Sequence, residues 1–367
     1  MRVLTVIGNR PQFIKAAAVS PPLRALPGVS ETLVHTGQHH DDALSRVFFD
    51  ELGLPAPDVQ LRIAGGSNSS QTARMLEALE PVVREAAADV MLVYGDTNST
   101  LAGALTAVQC GVPVAHVEAG MRSFDRTMPE EVNRVVCDHL STLLLCPSAV
   151  AVANLAAEGI GSGGGVDAAT VEEVGDVMVD VAATVQARVR DRPELLGAHG
   201  VVRGGYVLAT AHRAGNVDTE PRLLALVEVI GAVAAVAPVV LPLHPRTRAR
   251  LLALGLYDEL AGAPGVRICD PLGYVELSAL LVGARAVLTD SGGLQKEAYL
   301  AGVPCVTLRP STEWVETVEA GWNTLVDLSA ADALAAVRAP APAARPQLYG
   351  DGHAGARVAD ALRRRFG

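Results

Sequence analysis

Residues 90–120 read VMLVYGDTNSTLAGALTAVQCGVPVAHVEAG. The apolar run Val90–Tyr94 stops at a glycine, and the run Pro113–Val117 stops at Glu118. Both runs have the length and the aliphatic composition of buried strands. The amphipathic stretch Ser99–Cys110 between them predicts a helix. A strand, a helix and a second strand in this order predict two parallel strands of one sheet.

The same alternation continues on both sides of this stretch. Further strands are predicted at Val3–Ile7, Glu31–Thr36, Leu143–Pro147, Tyr206–Thr210, Val239–Leu243, Val266–Ile268, Ala286–Thr289 and Cys305–Leu308. Helices are predicted at Ile14–Leu26, Asp41–Leu52, Ser67–Ala88, Asp176–Arg190, Glu220–Ala237, Thr247–Ala253, Tyr274–Gly283, Leu294–Ala301 and Ala354–Phe366. A glycine-rich break at Gly159–Val166 separates the two series. With 367 residues, the chain is predicted to form an α/β fold of two doubly wound domains.

Composition excludes several classes of protein. The formal net charge is −10, so a general nucleic-acid-binding surface is not expected. No apolar run reaches the roughly 20 residues of a membrane span, and no secretory signal is recognised. The five cysteines form no C-x-x-C pair, which argues against zinc ribbons and thioredoxin-type sites. Scattered cysteines fit a reducing compartment, and a cytoplasmic location is expected.

Polar side chains follow the predicted strands at the point where each strand ends. The segments are Gly8–Gln12 with Lys15 one turn later, Gly95–Ser99, Glu118–Ser123, Ala211–Arg213, His244–Thr247 and Asp290–Gly293. Ligands of open parallel sheets bind beyond the carboxyl ends of the strands. Two such sheets facing each other would place these residues in a cleft between the domains.

Four carboxylates are candidates for acid–base chemistry: Asp96, Glu118, Glu130 and Glu131. Carboxylates at strand ends in a cleft can take raised pKa values and transfer protons. Each also has a structural interpretation. Asp96 fits a helix N-cap, and Glu118 fits an ion pair with Arg122. The two glutamates after Pro129 are typical of a helix start.

Two histidines, His212 and His244, follow strands of the second half, each close to an arginine. Both suit phosphate binding or proton transfer. The segment Asp290–Gly293 predicts an anion-binding helix N-terminus, although an ordinary helix cap gives the same pattern. The Walker motif, H-E-x-x-H and G-x-S-x-G are absent from the sequence, and the turn at Gly8-Asn9-Arg10 is not G-x-G-x-x-G, which argues against a dinucleotide-binding dehydrogenase.

Taken together, the motifs resemble the non-hydrolysing UDP-N-acetylglucosamine 2-epimerases over essentially the whole chain. They are, in order, Gly8–Gln12 with Lys15, Thr36–His39, Tyr94–Thr97, His116–Ser123, Pro129–Glu131 with Asn133 and Arg134, Ala211–Arg213, His244–Pro245, and Asp290–Gly293 with Gln295 and Glu297. The resemblance implies the glycosyltransferase-B architecture of two Rossmann-like domains, with no redox cofactor and no metal. It also implies a homodimer and a UDP-sugar substrate.

The domain bounds expected on this basis are 1–175 for the first domain and 176–345 for the UDP-binding second domain. Residues 346–367 are expected to form a helix that packs back on the first domain.

The resemblance also implies roles for particular residues. The family eliminates UDP to give bound 2-acetamidoglucal, then adds UDP back with protonation at the opposite face. Asp96, Glu118 and Glu130 or Glu131 would transfer the protons. The diphosphate is expected to bind Arg10, His212 and the helix N-terminus Ser291-Gly292-Gly293. Glu297 is expected at the ribose, and Tyr274 is expected beside the uracil. The remaining substrate-binding candidates are Lys15, Arg213, Asn216, His244 and Arg246.

Three positions depart from the family pattern or leave it ambiguous. Gly215 stands where the family usually has glutamate, which leaves the identity of the sugar open. Gln38-His39-His40-Asp41 replaces Gln-His-Arg-Glu, so allosteric activation by UDP-N-acetylglucosamine is not expected. Either Glu130 or Glu131 matches the family's catalytic glutamate, with preference for Glu130.

Several alternative functions remain open. They are an epimerase of a modified UDP sugar such as a diacetamido uronate, a hydrolysing epimerase, a glycosyltransferase and a nucleotide-sugar sensor.

Overall fold

A computed structural model describes residues 1–38, 52–161 and 168–367. The chain divides into two units. The first comprises Met1–Val181 and Gln347–Gly367, and the second comprises Ala182–Pro346. Almost all of the predicted helix at Asp41–Leu52 and most of the glycine-rich break lie outside the described residues.

The first unit is built on a seven-stranded parallel sheet with the order β3-β2-β1-β4-β5-β6-β7. Its strands are β1 (Arg2–Ile7), β2 (Ser30–His35), β3 (Val59–Gln60), β4 (Val90–Tyr94), β5 (Val114–Val117), β6 (Leu143–Cys146) and β7 (Thr170–Glu173). Tyr94 of β4 lies beside Val117 of β5 in the register. The turns after these two strands therefore begin at the same level of the sheet edge.

Helices cover the strands of this sheet. They are α1 (Arg10–Arg24), α2 (Asn68–Ala86), α3 (Asn98–Gln109), α4 (Pro129–Leu140), α5 (Ala149–Ala157) and α6 (Val177–Val189), and the division between the units falls within α6. Side chains that accept a backbone N–H start several of them. Asn9 caps α1, Ser67 caps α2, Ser148 caps α5, and Thr97 forms a capping box with Thr100 on α3.

The second unit has a six-stranded parallel sheet with the order β10-β9-β8-β11-β12-β13. Its strands are β8 (Val207–Thr210), β9 (Val239–Pro242), β10 (Val266–Cys269), β11 (Ala286–Thr289), β12 (Cys305–Thr307) and β13 (Asn323–Leu325). Val207 and Ala209 of β8 pack into one core, and Leu208 packs into the other. A sheet with apolar side chains on both faces needs helices on both faces.

The helices of the second unit supply those two layers. They are α7 (Pro193–Gly197), α8 (Ala214–Val217), α9 (Glu220–Ala234), α10 (Pro245–Ala253), α11 (Tyr257–Gly262), α12 (Tyr274–Gly283), α13 (Gly292–Ala301), α14 (Val315–Glu319) and α15 (Ala330–Arg338). The strand order in each unit, with helices between successive parallel strands, is that of a Rossmann-like fold. The prediction of two doubly wound, Rossmann-like α/β domains is confirmed.

The last helix, α16 (Ala354–Phe366), belongs to the first unit and packs against α1. The Asp180 carboxylate accepts the backbone N–H groups of Ala354 (3.1 Å) and Gly355 (2.7 Å), so it satisfies two donors at the start of this helix. A methyl group at Gly355 would clash with the carbonyl oxygen of Ala18 on α1. The two helices therefore approach closely because this position has no side chain.

Three strands were not predicted from the sequence: β3, β7 and β13. β3 has two residues, and β7 reads Thr-Val-Glu-Glu with no buried position. Both lie at a sheet edge, where a strand needs no apolar pattern on two faces. Among the described residues, no helix has the length and the hydropathy needed to cross a membrane.

Gly355→Ala tests the close packing of α16 on α1. Alanine is the better helix former, but its methyl group would meet the Ala18 carbonyl, so we expect a loss of about 1–3 kcal/mol in unfolding free energy. Gly231→Ala in α9 is the matched control. Open space surrounds Gly231, and a gain of about 0.5–1 kcal/mol is expected there. Calorimetric unfolding measures both, and equal gains would contradict the proposed packing constraint.

Candidate active site

Two turns at the carboxyl edge of the first sheet carry the first two candidate carboxylates. Asp96 follows Gly95 after β4, and Glu118 follows β5 directly. Gly95 N–H donates to the Val117 carbonyl oxygen (2.9 Å), which links the two turns. Glu118 adopts φ +70°, a conformation that non-glycine residues seldom take and that costs of order 1–3 kcal/mol. The backbone therefore holds this glutamate in a strained position.

Lys15 of α1 forms an ion pair with Glu118. Both side chains are largely buried, at 10% and 14% exposure. Burial by itself lowers the pKa of Lys15, but the charges of Glu118 and Asp96 outweigh it and raise that pKa above its ordinary value. Lys15 is thus a permanent cation that orients the Glu118 carboxylate. The ion pair of Glu118 with Arg122, expected as the structural alternative, does not form; Arg122 pairs with Asp138 and Glu158 instead.

Arg134 of α4 joins Asp96 to a third candidate carboxylate, Glu131. One guanidinium nitrogen donates to Asp96, and the other donates to Glu131 at 2.8 Å. Burial by itself lowers the pKa of Arg134, but the charges of Asp96 and Glu131 raise it overall. Thr97, not Asp96, caps the helix α3. Asp96 is therefore positioned by an ion pair rather than used as a helix cap.

Glu130 and Glu131 occupy the first turn of α4 and have different environments. Glu131 is buried and accepts hydrogen bonds from the backbone N–H groups of Ser123 (2.8 Å) and Phe124 (3.1 Å). Burial raises the pKa of Glu131, but these hydrogen bonds and the charge of Arg134 lower it overall. Glu130 is exposed. Glu131 thus holds the 123–124 turn, while Glu130 is accessible to a ligand.

The turn after β1 is tied to the turn after β4 by Gln12. Its Oε1 accepts the Gly8 N–H (2.7 Å), and its Nε2 donates to the Tyr94 carbonyl oxygen (2.9 Å). Arg10 is the first residue of α1 and is partly exposed at the same turn. Ion pairs in the first unit thus bring together Lys15 with Glu118 and, through Arg134, Asp96 with Glu131. Arg10 and Glu130 lie at the starts of the helices that follow these turns.

The second unit has a comparable cluster centred on Asp290, a fully buried residue after β11. Its carboxylate accepts the backbone N–H groups of His212 (3.0 Å) and Arg213 (2.9 Å) and the side-chain amide of Asn216 (3.2 Å). Burial raises the pKa of Asp290, but His212 and these hydrogen bonds lower it overall. Asp290 therefore fixes the loop that follows β8.

His212 and His244 lie side by side, with ring centroids 5.2 Å apart and an interplanar angle of 30°. His212 Nδ1 is 3.3 Å from Asp290 Oδ1. Burial, with the nearby positive charge of His212 and Arg246, lowers the pKa of His244. Arg246 itself pairs with Asp218. The ends of β8, β9 and β11 thus bring two imidazoles and one carboxylate together.

The segment Ser291-Gly292-Gly293 begins helix α13. Ser291 Oγ is the cap, accepting the Leu294 N–H at 3.5 Å. A Cβ at Gly292 would clash with the Glu313 carboxylate, and the Trp314 indole donates to the Gly292 carbonyl oxygen (2.9 Å). Gly293 is exposed. The segment is both a helix cap and an N-terminus open to an anion.

The other predicted residues of the second unit differ in accessibility. Asn216 is buried, and its amide is used by Asp290, the Leu308 carbonyl oxygen and Arg222. It is therefore a brace for the loop. Tyr274 is also buried, at the start of α12, whereas Glu297 is half-buried on α13. Arg213 is partly exposed, 3.9 Å from Glu313.

Three comparisons agree on the family. The family model described as UDP-N-acetylglucosamine 2-epimerase matches residues 22–363. A UDP-2,3-diacetamido-2,3-dideoxy-D-glucuronate 2-epimerase of Pseudomonas aeruginosa is 46% identical over 99% of both chains. A UDP-N-acetylglucosamine 2-epimerase of Methanocaldococcus jannaschii is 42% identical over 89% of this chain and 88% of the relative. The chain belongs to the UDP-N-acetylglucosamine 2-epimerase family.

A solved structure supports this assignment. The crystal structure of the M. jannaschii UDP-GlcNAc 2-epimerase in complex with UDP-GlcNAc and UDP has a TM-score of 0.90 and 37% identity. The match covers 99% of this chain and 100% of that one. The resemblance seen in the sequence motifs is thereby confirmed at the level of the family and the fold.

Sequence reasoning on this epimerase-family chain missed several residues that shape the two clusters. The motifs contain Arg134 without indicating a role for it, and no motif points to Asp138. The pattern around Asp290 indicates only a helix start. The sequence does single out Lys15, one of only two lysines in the chain, but not its ion pair with Glu118. Within the described ranges, no group of three or more His, Cys, Asp or Glu side chains is arranged to hold a metal ion.

Asp290→Asn tests the loop brace of the second unit. The native pKa of Asp290 is lowered, so its contribution to stability is present above the ordinary value of 3.8 and is lost as pH falls further. At pH 7 the variant should lose about 1–3 kcal/mol, because buried N–H donors lose their carboxylate. Below about pH 4 the difference from wild type should shrink, as the same linkage requires.

Urea unfolding followed by tryptophan fluorescence is the suitable measurement, since Trp314 and Trp322 both lie in the second unit. Asp191→Asn, at an exposed position of the same unit, is the control and should change little at either pH. A difference for Asp290→Asn that stays constant from pH 7 to pH 3 would contradict the assignment.

Proposed function

We propose that this chain interconverts the C2 epimers of a UDP-linked 2-acetamido sugar by elimination and re-addition of UDP. The observation that carries the proposal is that Asp96 and Glu118 follow neighbouring strands at one sheet edge, in a member of this family, and that Arg134 joins Asp96 to Glu131, the residue after Glu130. Asp96 and Glu118 are each oriented by a buried cation. UDP-N-acetylglucosamine is the first candidate substrate.

The reaction needs acid–base groups because the hydrogen on C2 has no adjacent carbonyl to acidify it. In the proposed forward step a base removes this proton while the bond between C1 and the UDP oxygen breaks. The products are bound 2-acetamidoglucal and UDP. In the return step a UDP oxygen re-forms the bond to C1, and an acid protonates C2 from the opposite face. Each well-placed proton-transfer group contributes about 10²–10⁴-fold to the rate.

The contacts in the first unit support a division of roles. Asp96 and Glu118 are held in fixed orientations by Arg134 and Lys15, which suits groups that must meet one carbon from defined directions. Glu130 is exposed, whereas Glu131 is engaged by the 123–124 turn. We therefore assign proton transfer to Asp96, Glu118 and Glu130, and the support of the site to Lys15, Arg134 and Glu131.

The second unit is assigned to the nucleotide. The N-terminus of α13 offers a dipole and backbone N–H groups to a diphosphate, and His212, half exposed, can stabilise the charge that develops on it. We assign Arg213, Arg246 and His244 to the same anion and Glu297 to the ribose. Tyr274, expected at the uracil, is only 1% exposed and therefore has no surface that a base could contact. Asn216, through its hydrogen bonds to Asp290 and the Leu308 carbonyl oxygen, supports the loop after β8 that carries His212.

A diacetamido uronate is the second candidate sugar. The P. aeruginosa relative that carries this name is 46% identical over 99% of both chains. Gly215, where the family usually has glutamate, also favours it. A Cβ at Gly215 would have open space around it, so the missing side chain is not imposed by packing. Removing a carboxylate from this loop favours a substrate with a negative charge of its own.

A homodimer in a reducing, cytoplasmic compartment completes the proposal. Val132 and Val136, one turn apart on α4, are exposed apolar residues of the kind that subunit contacts cover. The five cysteines are free, as expected for such a compartment. Light scattering coupled to size exclusion measures the oligomeric state.

Proton NMR in heavy water tests the reaction itself. With UDP-N-acetylglucosamine and, separately, UDP-2,3-diacetamido-2,3-dideoxy-D-glucuronate, we expect deuterium at C2 and the appearance of the 2-epimer with little free UDP. The ratio of the two kcat/KM values identifies the preferred sugar. Release of UDP equal to the sugar consumed would indicate a hydrolysing enzyme. Binding of UDP without any exchange of hydrogen would contradict the proposed activity.

Glu130→Gln and Glu131→Gln separate the two neighbouring glutamates. Glu130→Gln should lower the C2 exchange rate by about 10²–10⁴-fold with little change in thermal stability, because its side chain is exposed. Glu131→Gln should lose about 1–3 kcal/mol of stability, because buried N–H donors lose their carboxylate. Exchange assays and calorimetry on both variants decide the assignment, and the reverse pattern would transfer the catalytic role to Glu131.

A further inference from the structure

A buried chain of charged side chains lies under the two turns that carry Asp96 and Glu118. Its centre is His116 of β5, whose ring is fully buried. His116 Nδ1 lies 2.7 Å from Asp138 Oδ1, and Nε2 lies 2.7 Å from the Gly95 carbonyl oxygen. Asp138 of α4 also accepts Arg122 (2.6 Å) and the Gly120 N–H (3.1 Å).

The hydrogen bonds define the state of the ring. A backbone carbonyl oxygen and a carboxylate are both acceptors, so each ring nitrogen must donate. His116 therefore carries a proton on both nitrogens. Arg122 continues the chain to Glu158 through two contacts of 2.7 and 2.8 Å. Two cations thus face two carboxylates, of which Asp138 is buried and Glu158 is 29% exposed.

These buried side chains bind each of the two turns at a backbone group of the turn. Gly95 directly precedes Asp96, so the bond from His116 to the Gly95 carbonyl fixes the peptide before that carboxylate. Gly120 lies two residues after Glu118, and a side chain there would clash with the Ala151 carbonyl oxygen. The Gly120 N–H is held by Asp138. One carboxylate on α4 therefore controls both turns, directly at one and through His116 at the other.

We propose that His116, as a buried imidazolium bridging Gly95 and Asp138, is a positioning residue that sets the relative placement of Asp96 and Glu118. This inference rests on the proposed epimerase function for its kinetic test. His116 itself contacts no substrate in this assignment. Its loss should therefore affect the proton-transfer steps and leave nucleotide binding unchanged.

His116→Gln is the central variant, because glutamine can donate to Gly95 or to Asp138 but not to both. We expect kcat to fall 10–100-fold, as small misplacements of catalytic groups do, with KM and the Kd for UDP within twofold of wild type. Glu31→Gln is the matched control. Glu31 is another buried carboxylate of the same sheet, bound to Thr5, Ser20 and Arg24 near the amino end of β2. Its kcat should stay within twofold, although stability falls.

Two measurements test the inference without catalysis. Nitrogen-15 NMR of the histidine-labelled wild type should show two protonated, slowly exchanging ring nitrogens for His116. Hydrogen exchange read by mass spectrometry should show that 94–98 and 118–122 lose protection in His116→Gln and keep it in Glu31→Gln. If the wild type epimerises neither sugar, the proposed function fails, and these two measurements still decide the role of His116.

A single protonated ring nitrogen would overturn the inference. So would a folded His116→Gln protein with wild-type kcat, or a loss of kcat in Glu31→Gln as large as that in His116→Gln. The last result would mean that any weakening of the buried sheet reduces the rate, which is a structural effect without a positioning role.

Discussion

The arrangement of Asp96 and Glu118 in the first unit depends on the hydrogen bonds of the Asp138 carboxylate. This carboxylate is buried on α4 and accepts hydrogen bonds from His116, Arg122 and the Gly120 backbone. Burial raises the pKa of Asp138, but His116 and Arg122 lower it overall, so the group stays ionised without access to water. A buried carboxylate of this kind is costly to leave unpaired. Every partner that neutralises it also fixes one of the turns at the sheet edge.

Fixing these turns matters because Glu118 occupies an unfavourable backbone conformation. At φ +70° the residue would relax if its neighbours allowed it. Its N–H donates to the Leu145 carbonyl oxygen (3.0 Å), and its carboxylate is held by Lys15. The hydrogen bond to β6 and the ion pair with Lys15 therefore hold Glu118 in this conformation despite its cost. The result is a carboxylate whose direction is set by the fold rather than by its own rotamer preferences.

The amino-acid sequence was sufficient for ten of the thirteen described strands, because aliphatic runs such as Val90–Tyr94 carry a strong local signal. It was insufficient for β3 and β7, whose pairing is decided by neighbours in the sheet. The partners of Glu118 and Asp96 were also missed. Lys15 and Arg134 are distant in the chain from the carboxylates they bind, and no local pattern encodes that contact. The predicted segment at His39 and His40 lies outside the described residues.

The two units hold a turn at the edge of the sheet in the same way. In each, a buried aspartate accepts backbone N–H groups of a turn at the sheet edge: Asp138 holds Gly120, and Asp290 holds His212 and Arg213. In each, the aspartate also meets a histidine ring, within 2.7 Å in the first unit and 3.3 Å in the second. The difference lies in exposure. The His116 side chain is fully buried, whereas that of His212 is 40% exposed and is accessible to a ligand. If His116 and His212 act as proposed, the buried carboxylate positions proton-transfer groups in one unit and orients a nucleotide-binding histidine in the other.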